Sequence, residues 1–218
     1  MGATLLVALR HGETAWNRER RIQGHIDIPL SATGLRQAQA TALRLRDELA
    51  ALAALPAALR LVSSDLTRCR QTAEPIAAAL RQSLALEVGL RERAFGVLEG
   101  LTGPEARSAQ PQAFDRWVAR DPDADLGGGE SLHAFARRVD AAFDALLAQA
   151  DGATLVVVTH GGVLDRLWRR AHGLAPSAPR PVEIPNACLN RIAVQDGRWT
   201  VLSWADASHL PVALDDVG

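Results

Sequence analysis

A histidine followed by glycine at the end of a short apolar run can be delivered to the open edge of a sheet, where α/β proteins keep their chemistry. This chain has the pattern twice. Leu5 to Leu9 leads into Arg10-His11-Gly12-Glu13-Thr14, and Leu155-Val156-Val157-Val158 leads into Thr159-His160-Gly161-Gly162. Two such histidines suggest one phosphate pocket. Phosphoryl transfer requires charge neutralisation around three oxygens, an in-line nucleophile and an acid for the leaving group. Neutral imidazole is a competent nucleophile, and a helix starting just after it would add backbone N–H groups to the surroundings of an anion. Arg10 and Arg68 each fall in a short turn between a strand and a helix, where the guanidinium fork matches phosphate.

The elements that must position these residues are read from the apolar pattern. Branched runs at Leu5 to Leu9, Leu59 to Ser63, Leu84 to Val88 and Thr154 to Val158 alternate with helical patterns. That order predicts a three-layer α/β/α sandwich with a mainly parallel central sheet and helices on both faces. Leu35, Ala38, Ala42, Leu45, Leu49 and Leu52 form one helical stripe, with Ser31 as its N-cap. Further helices are predicted over Thr67 to Leu80, Ser131 to Ala148 and Val163 to Ala171. Cys188 to Val194 and Thr200 to Trp204, around Asp196-Gly197, read as a hairpin that extends the sheet. Thr102 to Asp125 reads as irregular and polar. Residues 96–129 are either an excursion that covers the pocket or a plain surface insertion. Gly127-Gly128-Gly129 lacks the Gly-Lys-Ser/Thr ending of a P-loop and reads as a hinge before the Ser131 helix.

At 218 residues and 48% hydrophobic content, the chain can bury roughly 70% of its unfolded surface around one core, and residues 1–218 read as a single domain. The net charge of -1 provides no basic field for nucleic acid or an anionic membrane, so anion binding must be local. All 24 basic residues are arginines, which removes lysine from every mechanism. No leader or membrane-spanning segment is read, and a cytoplasmic protein is expected. Cys69 and Cys188 are expected to be reduced and carry no zinc-site spacing, so no metal is expected.

Arg10-His11-Gly12-Glu13-Thr14 with Trp16 and Asn17 resembles the signature of the histidine phosphatase superfamily, the phosphoglycerate-mutase-like proteins. Gln23-Gly24, Asp27, Pro29-Leu30-Ser31 and Gly34 continue the likeness. So do Ser63-Ser64-Asp65-Leu66 with Arg68 and Thr72, Leu90-Arg91-Glu92 with Phe95-Gly96 and Glu99-Gly100, Gly129-Glu130-Ser131, and His160-Gly161-Gly162. The likeness implies that His11 becomes phosphohistidine and that Arg10, Arg68 and His160 bind the phosphoryl oxygens. By the same likeness Asn17, Gln23, Gly24 and Gly161 complete the pocket, Glu92 protonates the leaving oxygen, and no cofactor is required. Glu99 competes for the acid role, and the Leu-x-Glu-x-x-x-Gly pattern favours Glu92. His25, His133, His172 and His209 match no catalytic motif.

Three functions then compete: a phosphomonoester hydrolase acting on a small phosphorylated metabolite, a cofactor-dependent phosphoglycerate mutase, and a non-catalytic module that binds phospho-ligands. In the mutases the region after the Glu92 motif supplies a lysine and an adjacent arginine pair. Here Thr102 to Asp125 has neither, only the scattered Arg107, Arg116 and Arg120. The phosphatase branch is therefore expected. Trp16, Ile22, Phe95, Leu98 and Leu101 are candidates for an apolar wall.

Overall fold

Two central strands, β1 (Thr4–Arg10) and β4 (Thr154–Thr159), lie side by side and parallel, with Arg10 opposite Thr159 in register. Leu6 to Leu9 and Leu155 to Val158 are fully buried because both faces of the sheet are covered. The computed structural model describes residues 2–51, 58–150, 152–179 and 182–210. Among them, six strands form one sheet in the order β3-β2-β4-β1-β5-β6. β2 (Leu59–Ser63) and β3 (Leu84–Leu86) continue the parallel part, and β5 (Leu189–Gln195) and β6 (Arg198–Asp206) are antiparallel. α2 (Ala32–Ala51) and α3 (Thr67–Leu80) pack on one face, against Val7, Leu9, Leu61, Val156 and Val158. α6 (Leu132–Ala150) and α7 (Gly161–His172) cover Leu6, Ala8, Leu155 and Val157 on the other. This is the α/β/α sandwich expected from the pattern.

Three details differ from the sequence reading. β3 stops at Leu86, because Glu87 turns the chain: its carboxylate accepts the Gly89 N–H at 2.7 Å and opens a 3₁₀ turn over Val88–Leu90. Ser31 Oγ does accept the Gly34 N–H at 3.0 Å at the start of α2, but Leu35 is 47% exposed. The buried face runs through Gly34, Ala38, Thr41, Ala42 and Leu45, and Leu35 lies about 100° away from Gly34 around the helix. Gly34 faces inward because the loop after β1 crosses it: a Cβ on Gly34 would collide with the Glu13 carbonyl. Leu52, also assigned to the stripe, lies outside the described residues.

The third difference is the segment read as irregular. It holds α4 (Gly103–Ala109) and α5 (Pro111–Val118), after the one-turn helix α1 (Ala15–Arg18) in chain order. α4 starts with a reciprocal cap between Thr102 and Glu105, and Pro111 occupies the first turn of α5. These helices bury Leu98, Ala106, Phe114, Ala124 and Leu126 in a small core of their own, with Phe95 and Trp117 against it. No helix among the described residues is long and apolar enough to cross a membrane.

Candidate active site

The register of β1 and β4 decides where the histidines go. His11 and His160 are each the first residue beyond adjacent parallel strands, and the His11 N–H donates to Thr159 O at 2.9 Å. Their rings meet edge to face with centroids 5.3 Å apart. Ser64, the first residue past β2, presents its hydroxyl to His160 Nε2 at 2.9 Å.

Hydrogen bonding fixes the tautomer of each ring. Gly12 O can only accept, so His11 Nδ1, 2.7 Å away, carries the proton and Nε2 keeps its lone pair. At His160 the Arg68 Nε–H donates to Nδ1 at 3.3 Å, so the proton is on Nε2 and goes to Ser64 Oγ. Burial, reinforced by the nearby charges of Arg68 and Arg10, holds His11 well below the usual imidazole pKa. Burial and Arg68 do the same at His160. Both rings are therefore neutral at pH 7.

This has a consequence for stability. The unfolded chain takes up protons at these histidines below about pH 6.5 and the folded chain does not, so acid shifts the balance toward unfolding. Each ring is expected to cost up to about 1.4 kcal/mol per pH unit from pH 6.5 down to its own lowered pKa. Melting temperature should fall more steeply from pH 7 to 5 in the wild type than in His11→Asn, measured without phosphate. Equal slopes would show that His11 is not held neutral.

A cleft of about 480 Å³ opens above this pair, within the range of small-molecule sites. Arg10, His11, Asn17, Gln23, Gly24, Arg68 and Glu92 all line it. Arg10 is held by the Ile184 carbonyl at 2.6 Å. Arg68, 1% exposed, is fixed by Ile26 O at 3.0 Å and Gly24 O at 2.7 Å, and this ties it to the loop that carries Gln23. Asn17 closes the cap of α1, accepting the Thr14 N–H on Oδ1 at 3.0 Å, which turns its NH₂ away from that cap. Gln23 Oε1 is buried with no hydrogen-bond partner among the described residues. A half-turn of that amide would put its NH₂ there as a donor, suited to an anion in the cleft.

Two expected residues are placed differently. His160 lies directly behind the lining rather than on it, and Gly162 replaces Gly161 at the wall. Gly161 is covered by the Arg10 side chain, 3.5 Å from where its Cβ would be.

The two carboxylates separate clearly. Glu92 faces the cleft, with Oε2 accepting the Gly162 N–H at 2.9 Å and Oε1 the Arg93 N–H at 2.9 Å. Glu99 is spent on backbone, accepting from His25 at 3.0 Å, Phe95 at 2.9 Å and Ile26 at 3.1 Å, and it braces the Gly24 turn. A Cβ on Gly162 would overlap the Glu92 carboxylate. Because that carboxylate ends a flexible side chain, Gly162→Ala is expected to fold while displacing it. Turnover of alkyl phosphates should then fall about 10- to 100-fold, with thermal stability little changed. Wild-type turnover would show that the carboxylate position is immaterial.

Of the candidate apolar wall, Ile22 and Phe95 line the cleft, whereas Leu98 is interior to the small core of α4 and α5 and Trp16 rests near Gly100. Leu101 packs against that same core. Trp117, Val118, Leu132 and Phe135, which sequence reasoning missed, complete the wall. Asn186 was also missed. Its NH₂ donates to His11 O at 3.0 Å and to Asn17 Oδ1 at 3.3 Å, linking the histidine loop to α1. The Pro185-Asn186 turn was its only signal. His25, His133, His172 and His209 contact Glu92 O, Asp123, Trp168 and Thr41 respectively, and none lines the cleft.

Comparison with known proteins agrees with this geometry. Residues 6–207 match the family model of the histidine phosphatase superfamily, branch 1. The chain is 39% identical over 208 residues to phosphoglycerate mutase-like protein 4 of Arabidopsis thaliana, covering 94% of this chain and 86% of that protein. It is 37% identical to the metal-independent phosphoserine phosphatase of the same plant, over 95% and 83% of the two chains. Among solved structures, YhfR of Bacillus stearothermophilus superposes with a TM-score of 0.83 at 31% identity, covering 95% of this chain and all (100%) of that one. A mycobacterial glucosyl-3-phosphoglycerate phosphatase gives 0.79 at 29% identity, over 94% and 100%. Fold, strand-end histidines and sequence thus agree, and the chain belongs to the histidine phosphatase superfamily.

Proposed function

We propose that the protein is a phosphomonoester hydrolase that acts on a small phosphorylated metabolite through a phosphohistidine at His11. The observation that carries this reading is the His11 tautomer: Nδ1–H is committed to Gly12 O, so the lone pair on Nε2 serves the cleft shared with Arg10, Arg68 and Glu92. In the first step Nε2 attacks phosphorus, the P–O bond to the alcohol breaks, and the Glu92 carboxyl gives its proton to the departing oxygen. In the second step the Glu92 carboxylate takes a proton from water as that water attacks phosphorus. The P–N bond breaks and inorganic phosphate leaves. Arg10 and Arg68 surround the transferring group, His160 backs Arg68 from behind the lining, and Asn17, Gln23, Gly24 and the Gly161-Gly162 turn complete its pocket. A catalytically silent binding module would not need this complete set.

Relatives named as a phosphoglycerate mutase-like protein and a probable phosphoglycerate mutase give the mutase reading its weight, and the charges of the outer cleft count against it. A mutase must hold a second anionic group, but Arg21 is engaged by Glu19 at 2.8 Å and Glu105 at 2.6 Å. Arg93 donates to the carbonyls of Glu130 at 2.7 Å and Ala124 at 2.9 Å, and Arg120 lies 3.6 Å from Asp165. The remaining wall, from residues 95 to 135, is largely apolar. A screen of sugar phosphates, phosphoserine, phosphoglycerates and nucleotide-derived monoesters should yield inorganic phosphate. A parallel assay with and without 2,3-bisphosphoglycerate should show mutase flux far below hydrolysis; the reverse ratio would replace this function with the mutase. A cytoplasmic setting fits the reading, since metabolite esters are made there and the buried thiols Cys69 and Cys188 are both free.

A further inference from the structure

Glu92 is carried by a turn, and residues on turns keep catalytic geometry only if something rigid holds them. Thr159 Oγ1 donates to Leu90 O at 2.8 Å and Arg91 pairs with Asp65 at 2.8 Å, and the carbonyls nearest Glu92 are gathered by one further guanidinium. Arg138, on α6, donates from Nη1 to Gly89 O at 2.9 Å and Arg91 O at 3.0 Å, and from Nη2 to Glu92 O at 3.0 Å. The Glu130 carboxylate grips the same fork, with Nε and Nη2 both 2.7 Å away, and accepts the Ala94 N–H at 3.1 Å. A single ion pair therefore holds the carbonyls on the approach to Glu92 and an N–H just beyond it. His25 Nε2 adds a donor to Glu92 O at 2.8 Å. The Arg138 guanidinium also stacks over Phe135, 5.2 Å from the ring centre, and Phe135 is part of the cleft wall.

We propose that Arg138, oriented by Glu130, is a positioning residue for the Glu92 carboxyl, and that it governs proton transfer to the leaving group without touching the phosphoryl group. The proposal rests on reading Glu92 as the acid. Its logic is that the Glu92 carboxylate has one backbone partner on its own turn, Arg93 N–H, and one on α7, Gly162 N–H. If the turn relaxes, the first partner moves with it and the second does not, so the carboxyl shifts relative to the cleft. Arg10 ends β1, His11 follows it directly and Arg68 lies in the first turn of α3, so none of the three moves with that turn.

A purely structural role would lower activity equally on all substrates, whereas a positioning role is selective. An alkyl phosphate needs its leaving oxygen protonated and p-nitrophenyl phosphate hardly does. In Arg138→Gln the alkyl-to-aryl ratio of kcat/KM is expected to fall about 10-fold or more, with inhibition by vanadate changed less than about twofold because the phosphoryl pocket is untouched. Arg138→Lys keeps the charge but cannot span three carbonyls and the carboxylate; it should lower the ratio about threefold, and it carries the test if the glutamine variant does not fold. An unchanged ratio, or equal loss on both substrates, overturns the proposal. Glu92→Gln is run alongside: if it leaves the ratio unchanged, the acid assignment itself is wrong and the proposal falls with its premise.

Discussion

His11→Ala is expected to lose at least about 10³ in kcat and to leave no phosphate on the protein, because removing a nucleophile deletes the covalent route instead of weakening one contact. Wild-type enzyme quenched during turnover of a labelled ester should carry acid-labile, base-stable label, as a phosphoramidate does. The fold should survive, since His11 adds one side-chain hydrogen bond, to its neighbour Gly12, and its backbone N–H to Thr159 O remains available. Arg68→Ala provides the contrast. It removes charge stabilisation from the transferring group, so it should slow alkyl and aryl esters by comparable factors while the label still forms. Near-normal turnover in His11→Ala, or label that persists without His11, would mean that the reaction runs through another group.

The central frame was legible in the sequence because burial on both faces leaves an unbroken run. Leu5 to Leu9 and Thr154 to Val158 can be read as neighbouring parallel strands, and their register then places His11 beside His160. The outer cleft was harder to read. α4 and α5 are 7 and 8 residues long, too short for periodicity to separate them from a polar loop, and only the Thr102-x-x-Glu105 cap and Pro111 marked their starts. With those helices unseen, Trp117 and Val118 could not be assigned to the wall. The choice between Gly161 and Gly162 depends on how the Arg10 side chain lies across the turn, which spacing does not encode. Arg138 was invisible for the same reason: its partners are main-chain carbonyls of a turn 46 to 49 residues away, and a carbonyl leaves no trace in residue type.

Glu92→Gln should separate the acid from the phosphoryl pocket. Glutamine keeps the shape of the side chain, and its amide oxygen can still accept the Gly162 or Arg93 N–H, but it neither gives nor takes a proton. General acid catalysis contributes typically about 10²–10⁴-fold, so kcat/KM for an alkyl phosphate is expected to fall by that order. An aryl phosphate with a good leaving group should lose far less in the first step, provided that phosphorylation of His11 limits kcat/KM. Hydrolysis of the phosphohistidine also needs Glu92 as a base, so with aryl substrates the variant should accumulate label on His11 and show a burst followed by a slow steady state. Glu99→Gln is the control. Its carboxylate accepts three backbone N–H groups around the Gly24 turn and does not line the cleft, so any loss should fall on both substrate classes alike. If the leaving-group selectivity and the accumulating label appeared in Glu99→Gln while Glu92→Gln behaved like wild type, the two carboxylates would exchange roles. The geometry argues against that exchange, because protonating Glu99 would weaken the contacts that hold His25, Ile26 and Phe95 together.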